Sequence, residues 1–289
     1  MINKCFIFIF LLQQTLCAYC KSPVSKTAKK TLPELTAHEY QINLTGLSEL
    51  SGLCLSYNKD FLWGVDDSGA LYRINIYDYE AGLEDGFFTL EWDKKGEMED
   101  IAIDSENGNL YIALESPEKS AFMIPYNNGY DFNRNFIELF KIEDVALYKN
   151  KGIEGLTLYK NDLYFGAQKD ALLYRYTKNG RLKNKKSLKN IDGCDIKEIA
   201  GLDYDAENDW LWVLDSKTFK IYLFNGKADK LLAEYSIIDT ANNNPEGICV
   251  DKEHNCIWIC EDIKKTSILH KYSLLNCGIF RGAVLKRSL

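Results

Sequence analysis

Glu246-Gly247-Ile248-Cys249-Val250, then the polar turn Glu253-His254-Asn255, then Ile257-Trp258-Ile259-Cys260 form the stretch that decides the fold. Two short runs rich in β-branched and aromatic residues flank a turn whose residues tolerate positive φ, so the stretch reads as an antiparallel hairpin. The same pattern recurs upstream. Its starts are Ser51-Gly52-Leu53-Cys54-Leu55, Glu99-Asp100-Ile101-Ala102-Ile103, Glu154-Gly155-Leu156-Thr157-Leu158, Ala200-Gly201-Leu202-Asp203-Tyr204 and the Glu246 segment, spaced by 48, 55, 46 and 46 residues. A period of this length is one four-stranded propeller blade, a unit that buries its apolar faces only by stacking on its neighbours.

Each unit continues alike. The polar turns Asn58-Lys59-Asp60, Asn107-Gly108-Asn109, Asn161-Asp162 and Glu207-Asn208-Asp209 lead into Leu62-Trp63-Gly64-Val65, Leu110-Tyr111-Ile112-Ala113, Leu163-Tyr164-Phe165-Gly166 and Leu211-Trp212-Val213-Leu214. Third strands follow, as in Leu71-Tyr72-Arg73-Ile74, Leu173-Tyr174-Arg175-Tyr176 and Ile221-Tyr222-Leu223-Phe224. Fourth strands are expected at 87–92, 136–142, 186–191 and 231–237. The last unit lacks an outer strand directly after Tyr272, and Tyr40-Gln41-Ile42-Asn43-Leu44 is expected to supply it, closing the ring and protecting its edges. The tail 278–289 is the other candidate for that strand. The fold class is all-β, a five-bladed β-propeller of four-stranded antiparallel blades, with six blades as the alternative. An α/β fold would need sustained 3.6-residue periodicity between strands, which is missing outside the N-terminal segment.

Composition agrees. The 289 residues are 46% hydrophobic and 27% charged, enough for a large core without disulfide staples, and the formal net charge of −7 argues against nucleic-acid binding. The basic run 181–189 reads as a solvated loop. At the N-terminus Lys4 precedes an apolar run, 5–12, then Gln13, Gln14 and the small Ala18. That order is a secretory signal or N-terminal membrane anchor over 1–20, followed by a linker, 21–36, and the propeller, 37–289. Export to the cell envelope, membrane-associated at the plasma membrane or periplasmic, is the expectation. Cys17 and Cys20 raise a lipoprotein reading, although the residues before each fit a lipobox poorly. Beyond residue 20 stand Cys54, Cys194, Cys249, Cys256, Cys260 and Cys277, without CxxC or zinc-type spacing, so buried free thiols are expected.

Chemistry should gather at one mouth of the channel. First strands line it and second strands run back beside them, so first-strand starts and second-strand ends share a face. Glu99, Glu154 and Glu246 occupy one equivalent start position, with Glu49, Glu97 and Glu198 two residues before their own units' starts. Asp66, Asp67, Glu115, Asp215, Glu261 and Asp262 stand at second-strand ends. Converging carboxylates raise one another's pKa unless cations intervene, and such oxygen-rich sets suit Ca²⁺. The competing reading is structural, each Glu tying neighbouring blade backbones together. Of His38, His254 and His270, His254 falls in a hairpin turn on the opposite face and His270 in an outer strand, which argues against a Ser-His-Asp triad at the mouth.

Glu49-Leu50-Ser51-Gly52-Leu53, then Leu62-Trp63-Gly64-Val65-Asp66-Asp67-Ser68-Gly69, with Asn244-Pro245-Glu246-Gly247-Ile248, resembles the SdiA-regulated, or YjiK-like, family of bacterial propellers over roughly 38–275. The blade-start motifs are also similar to the wider group of NHL-repeat and esterase-like phytase propellers. The resemblance implies a five-bladed envelope propeller with bound calcium and no settled activity, and carries Glu99, Glu154 and Glu246 over as channel-mouth carboxylates. Ser51 and Ala200 depart from the pattern and leave the ring incomplete. The leading expectation is therefore an envelope protein that binds calcium, or a small-molecule or protein ligand, at its acidic face. A calcium-dependent phosphoester hydrolase similar to propeller phytases, with Lys169 and Lys217 near the phosphates, is the alternative. A metal-free protein-interaction scaffold is a third.

Overall fold

A computed structural model describes residues 32–76, 96–115, 118–126, 136–142, 152–237, 244–263 and 266–275. Residues 32–289 form one compact unit, a propeller of five blades. Its first strand, β1 (Glu34–Thr45), precedes the blade starts. Blade 1 contains β2 (Leu50–Leu55), β3 (Leu62–Asp66) and β4 (Leu71–Ile74). Blade 2 is β5 (Met98–Ile103), β6 (Leu110–Leu114), β7 (Ser120–Ile124) and β8 (Ile137–Lys141). Blade 3 is β9 (Ile153–Tyr159), β10 (Asp162–Ala167), β11 (Leu172–Thr177) and β12 (Leu182–Ser187). Blade 4 is β13 (Gly201–Asp205), β14 (Trp210–Asp215), β15 (Lys220–Asn225) and β16 (Leu231–Ser236). Blade 5 joins β17 (Pro245–Asp251), β18 (Cys256–Glu261) and β19 (Thr266–Leu275) to β1, in the order β1-β19-β18-β17. The N-terminal strand thus closes the ring, antiparallel to β19 from Glu34 opposite Leu275 to Thr45 opposite Thr266.

Four of the five hairpins between first and second strands are capped by their own side chains. Asp104 accepts the Glu106 N–H at 3.0 Å, Asp205 those of Glu207 and Asn208 at 3.0 and 3.1 Å, and Asp251 that of His254 at 3.1 Å. Ser56 plays this part in blade 1, its Oγ accepting the Asp60 N–H at 3.0 Å. These side-chain turns supply donors and acceptors the strands cannot.

The core is divided among the blade interfaces. Ile42, Leu53 and Trp258 pack where blade 5 meets blade 1, Trp63 and Ile112 between blades 1 and 2, and Tyr111 and Phe165 between 2 and 3. Leu202 and Tyr222 fill the next interface, and Trp212 and Ile257 the last. The aromatic at one place in every second strand is buried each time, at Trp63, Tyr111, Tyr164, Trp212 and Trp258. Truncating such a ring to Ala costs roughly 3–5 kcal/mol.

Several sequence expectations need adjustment. The outer strand of blade 3 is Leu182–Ser187, earlier than the 186–191 expected, and Leu188–Asn190 form a 3₁₀ turn. Leu188 is buried by that turn, so its apolar character reflects packing and not strand pairing. Most of the basic run 181–189 is therefore an exposed edge strand, where lysines discourage pairing with another chain. β1 starts at Glu34, inside the segment read as linker. The strand expected at 87–92, the tail 278–289 and the signal or anchor segment 1–20 lie outside the described residues. Cys54, Cys249, Cys256 and Cys260 are buried and free, and Cys194 is free and partly buried.

Candidate functional site

A single irregularity aims the acids into the channel mouth. Where β2, β5, β9 and β17 begin, the register with the second strand slips, leaving Ser51, Glu99, Glu154 and the Glu246-Gly247 pair without a regular partner. Such bulges turn a side chain that regular alternation would direct elsewhere. Blade 4 pairs regularly from Gly201, and there the residue is Ala200. The bulge and the acid occur together in three blades, with Ser51 as the neutral member.

A second tier surrounds these residues. The residue just after each second strand is tied to the one two places before the blade start. Asp67 N–H donates to Glu49 O at 3.4 Å, Glu115 to Glu97 O at 2.9 Å, Gln168 to Gly152 O at 3.2 Å and Asp262 to Asn244 O at 3.0 Å. In blade 4 the tie is through side chains, Ser216 Oγ donating to Glu198 Oε1 at 2.5 Å. Glu49 adopts φ of 57°, a left-handed conformation uncommon outside glycine. Gly152 stands where other blades carry Glu49, Glu97 or Glu198, and a Cβ on it would lie 1.8 Å from Glu115 Oε1. The Glu115 carboxylate occupies the space that a side chain at 152 would need.

The structure brings Glu99, Glu154, Glu246 and Asp67 into mutual range, with Glu49, Glu97, Glu115, Glu198 and Asp262 around them. Burial pushes Glu246 up to about 9, reinforced by Asp262, Glu154 and Asp67. Asp67 is pushed up to about 6 by burial, against a 2.9 Å hydrogen bond from Ser51 Oγ. Glu99 and Glu154 are hydrogen-bonded to each other, and burial plus the neighbouring charge raises the proton affinity of both. Basic partners are few among the described residues: Lys119 Nζ lies 2.9 Å from Glu115 Oε1, and Lys217 Nζ 3.5 Å from Glu198 Oε1.

Asp66, Asp215 and Glu261 are directed into their own blades, because adjacent strand residues point to opposite faces. Asp66 accepts from the Ala70 N–H at 2.8 Å and the Tyr72 hydroxyl at 2.5 Å. Asp215 accepts the Lys197 and Lys217 N–H groups at 2.7 and 2.9 Å. Glu261 Oε2 lies 3.3 Å from Nε2 of His270, which is buried in β19, the third strand of its blade. His254 does fall in a hairpin turn, with Nδ1 2.8 Å from Asp251 Oδ2. Lys119, Gly152 and Asp100 escaped the sequence reading. Asp100 was visible only as the one acid at a position otherwise held by Gly52, Gly155, Gly201 and Gly247. Its carboxylate takes the N–H groups of Ile101 at 2.8 Å and Leu156 at 2.7 Å and a backbone bond from Leu202, tying blades 2, 3 and 4 across the channel.

The donor set fits a hard cation. Glu97, Glu99 and Glu115 each offer an oxygen, and these atoms lie within 4.8 Å of one another. Oxygens bound to one Ca²⁺ at about 2.4 Å can be at most about 4.8 Å apart. The set contains no nitrogen or sulfur donor, which disfavours zinc or copper.

Comparison with known proteins bears on the fold. Glutaminyl cyclase from Myxococcus xanthus is similar in structure, with a TM-score of 0.57 and 11% identity over 84% of this chain and 97% of that chain. A protein of unknown function from Bacteroides thetaiotaomicron gives a TM-score of 0.50 and 12% identity over 83% of this chain and 73% of that one. At these identities the likeness is one of fold alone. No curated protein matches in sequence. The SdiA-regulated family profile matches residues 31–262, spanning the blade starts and the mouth acids, and the chain belongs to the SdiA-regulated family.

Proposed function

We propose that this propeller binds calcium at its acidic mouth and, through the ion or beside it, holds a small-molecule or protein ligand at the cell envelope. The observation that carries this reading is the gathering of Glu99, Glu154, Glu246 and Asp67, each raised in proton affinity by burial and by its acidic neighbours. Groups that must take up protons to coexist are groups that a divalent cation relieves, and ligand deprotonation couples metal affinity to pH. Glu97, Glu99 and Glu115 are the first ligands we assign, with Glu154, Glu246 and Asp67 completing an oxygen shell directly or through water. The envelope location rests on the signal-like N-terminal segment.

Titration calorimetry of the purified chain with Ca²⁺, against Mg²⁺ as control, tests the reading. Saturable heat and a melting temperature that rises with calcium are expected. Absence of both removes the proposal. Calcium-dependent release of phosphate from inositol phosphates by the same protein would replace binding with hydrolysis.

A further inference from the structure

The channel has a second opening, on the face of the capped hairpins. A cavity of about 400 Å³ opens there, and the partly exposed side chains of Leu55, Ile103, Leu158 and Val250 wall it. This volume lies in the range of small-ligand pockets, about 300–1,000 Å³. Asp203 lines it, and Asp100, which ties the blades together nearer the acidic mouth, does not.

Besides the rim acids Asp104, Glu106, Asp205 and Glu207, one charge distinguishes the walls. At the repeat position of Asp203 the other blades carry Cys54, Ala102, Thr157 and Cys249, all in the lining and all uncharged. The Asp203 carboxylate is partly accessible and accepts two backbone N–H groups, Tyr204 on Oδ1 and Val250 on Oδ2, each at 2.7 Å. A carboxylate has about four acceptor sites, so these bonds leave capacity on both oxygens. Among the described residues no lysine, arginine or histidine bonds to it. The lysines at the rim are held by other groups. Lys252 is 2.6 Å from Asp205 and 3.0 Å from Glu207, Lys59 is 2.7 Å from Glu253, and Lys160 lies over the Tyr159 ring at 5.0 Å. The rim cations are thus largely compensated, and the acid inside has Lys252 as a neighbouring charge without a bond to it.

We propose that this cavity is a second ligand site, separate from the acidic mouth, for a small primary ammonium compound with an apolar body. The ammonium donates to Asp203, and the body displaces water from the leucine and isoleucine walls. A hydrated metal ion fits poorly, since calcium takes six to eight oxygens and this lining is mainly apolar. An anion would meet the Asp203 carboxylate.

Benzylammonium is the probe and benzyl alcohol its neutral counterpart, titrated into the full chain and followed by amide chemical shifts. Saturable shifts of the Tyr204 and Val250 amides with benzylammonium are expected, and at least about tenfold weaker binding of benzyl alcohol, the loss of one charge-assisted bond. Asp203→Asn, with its fold verified by near-ultraviolet circular dichroism, should lose at least about tenfold in benzylammonium affinity. If that variant does not fold, the comparison of the two probes on the native chain decides. Equal binding of the two, binding of methylammonium as tight as of benzylammonium, shifts confined to Glu99 and Gly247 at the acidic mouth, or no saturable shift would each overturn the proposal. Calcium calorimetry reads the other mouth, so either site can fail without the other.

Discussion

Glu246→Gln should stabilise the cation-free protein above neutral pH while weakening its hold on calcium. Burial, Asp262, Glu154 and Asp67 push Glu246 from 4.5 to about 9. Between those values the folded chain keeps a proton that the unfolded chain has released, so stability is greatest below the lower value and is lost as pH rises towards the upper one. Each tenfold change in proton affinity is worth about 1.4 kcal/mol, so at about pH 7 the deficit is at most about 3.5 kcal/mol, part of it shared with the neighbouring acids. Glutamine keeps the size and an oxygen for the bond that Asn244 Nδ2 donates. In chelator, urea midpoints at about pH 7.5 should show a gain of roughly 1–3 kcal/mol, shrinking below about 1 kcal/mol near pH 5. At about 2–4 °C per kcal/mol the melting temperature follows. With calcium added the ranking should narrow or invert, since only the native mouth gains the full binding energy. A variant less stable than the native chain by more than about 1 kcal/mol at both pH values, with unchanged calcium affinity, would refute the reasoning. Glu246 would then be a blade-to-blade tie.

Gly152→Ala should displace the Glu115 carboxylate, whose Oε1 would lie 1.8 Å from the new Cβ, and calorimetry should register weaker calcium binding with a stability loss below about 1 kcal/mol. Gly52→Ala places a Cβ 2.4 Å from the Asp100 Cα, backbone against backbone, and chemical denaturation should report a loss of roughly 2–4 kcal/mol or failure to fold. Calcium affinity should fall on acidification from about pH 8 to pH 5, because Asp67, pushed up to about 6, and Glu246, pushed up to about 9, bind protons in competition with the ion; a flat calorimetric pH profile would contradict this. Cys54, Cys249, Cys256 and Cys260 should react with thiol reagents only on unfolding, and reductant should leave the melting temperature unchanged.

The repeat was legible because each blade must solve the same packing problem with its own residues. The buried aromatics of the second strands, at Trp63, Tyr111, Tyr164, Trp212 and Trp258, mark the interfaces, and the polar hairpins mark the turns. Even the closure by the segment around Tyr40-Gln41-Ile42-Asn43-Leu44 followed from counting strands, since blade 5 would otherwise expose an edge. The outer strands were less legible. Half exposed, they carry a weak apolar pattern, and Leu188 mimicked a strand residue while serving a 3₁₀ turn.

Sequence by itself determined the architecture and the end of the channel where carboxylates collect, because repeat position fixes which strand ends share a face. Tertiary structure alone decided which carboxylates meet. Alternation sends Asp67 and Asp262 to the mouth and their neighbours Asp66 and Glu261 into the blades, and a bulge swings Glu99, Glu154 and Glu246 inward. Asp100 crosses from its own blade to two others, and Asp203 faces a cavity with no cation bonded to it among the described residues. Those outcomes depend on distances between residues tens of positions apart in the chain, which no local pattern encodes.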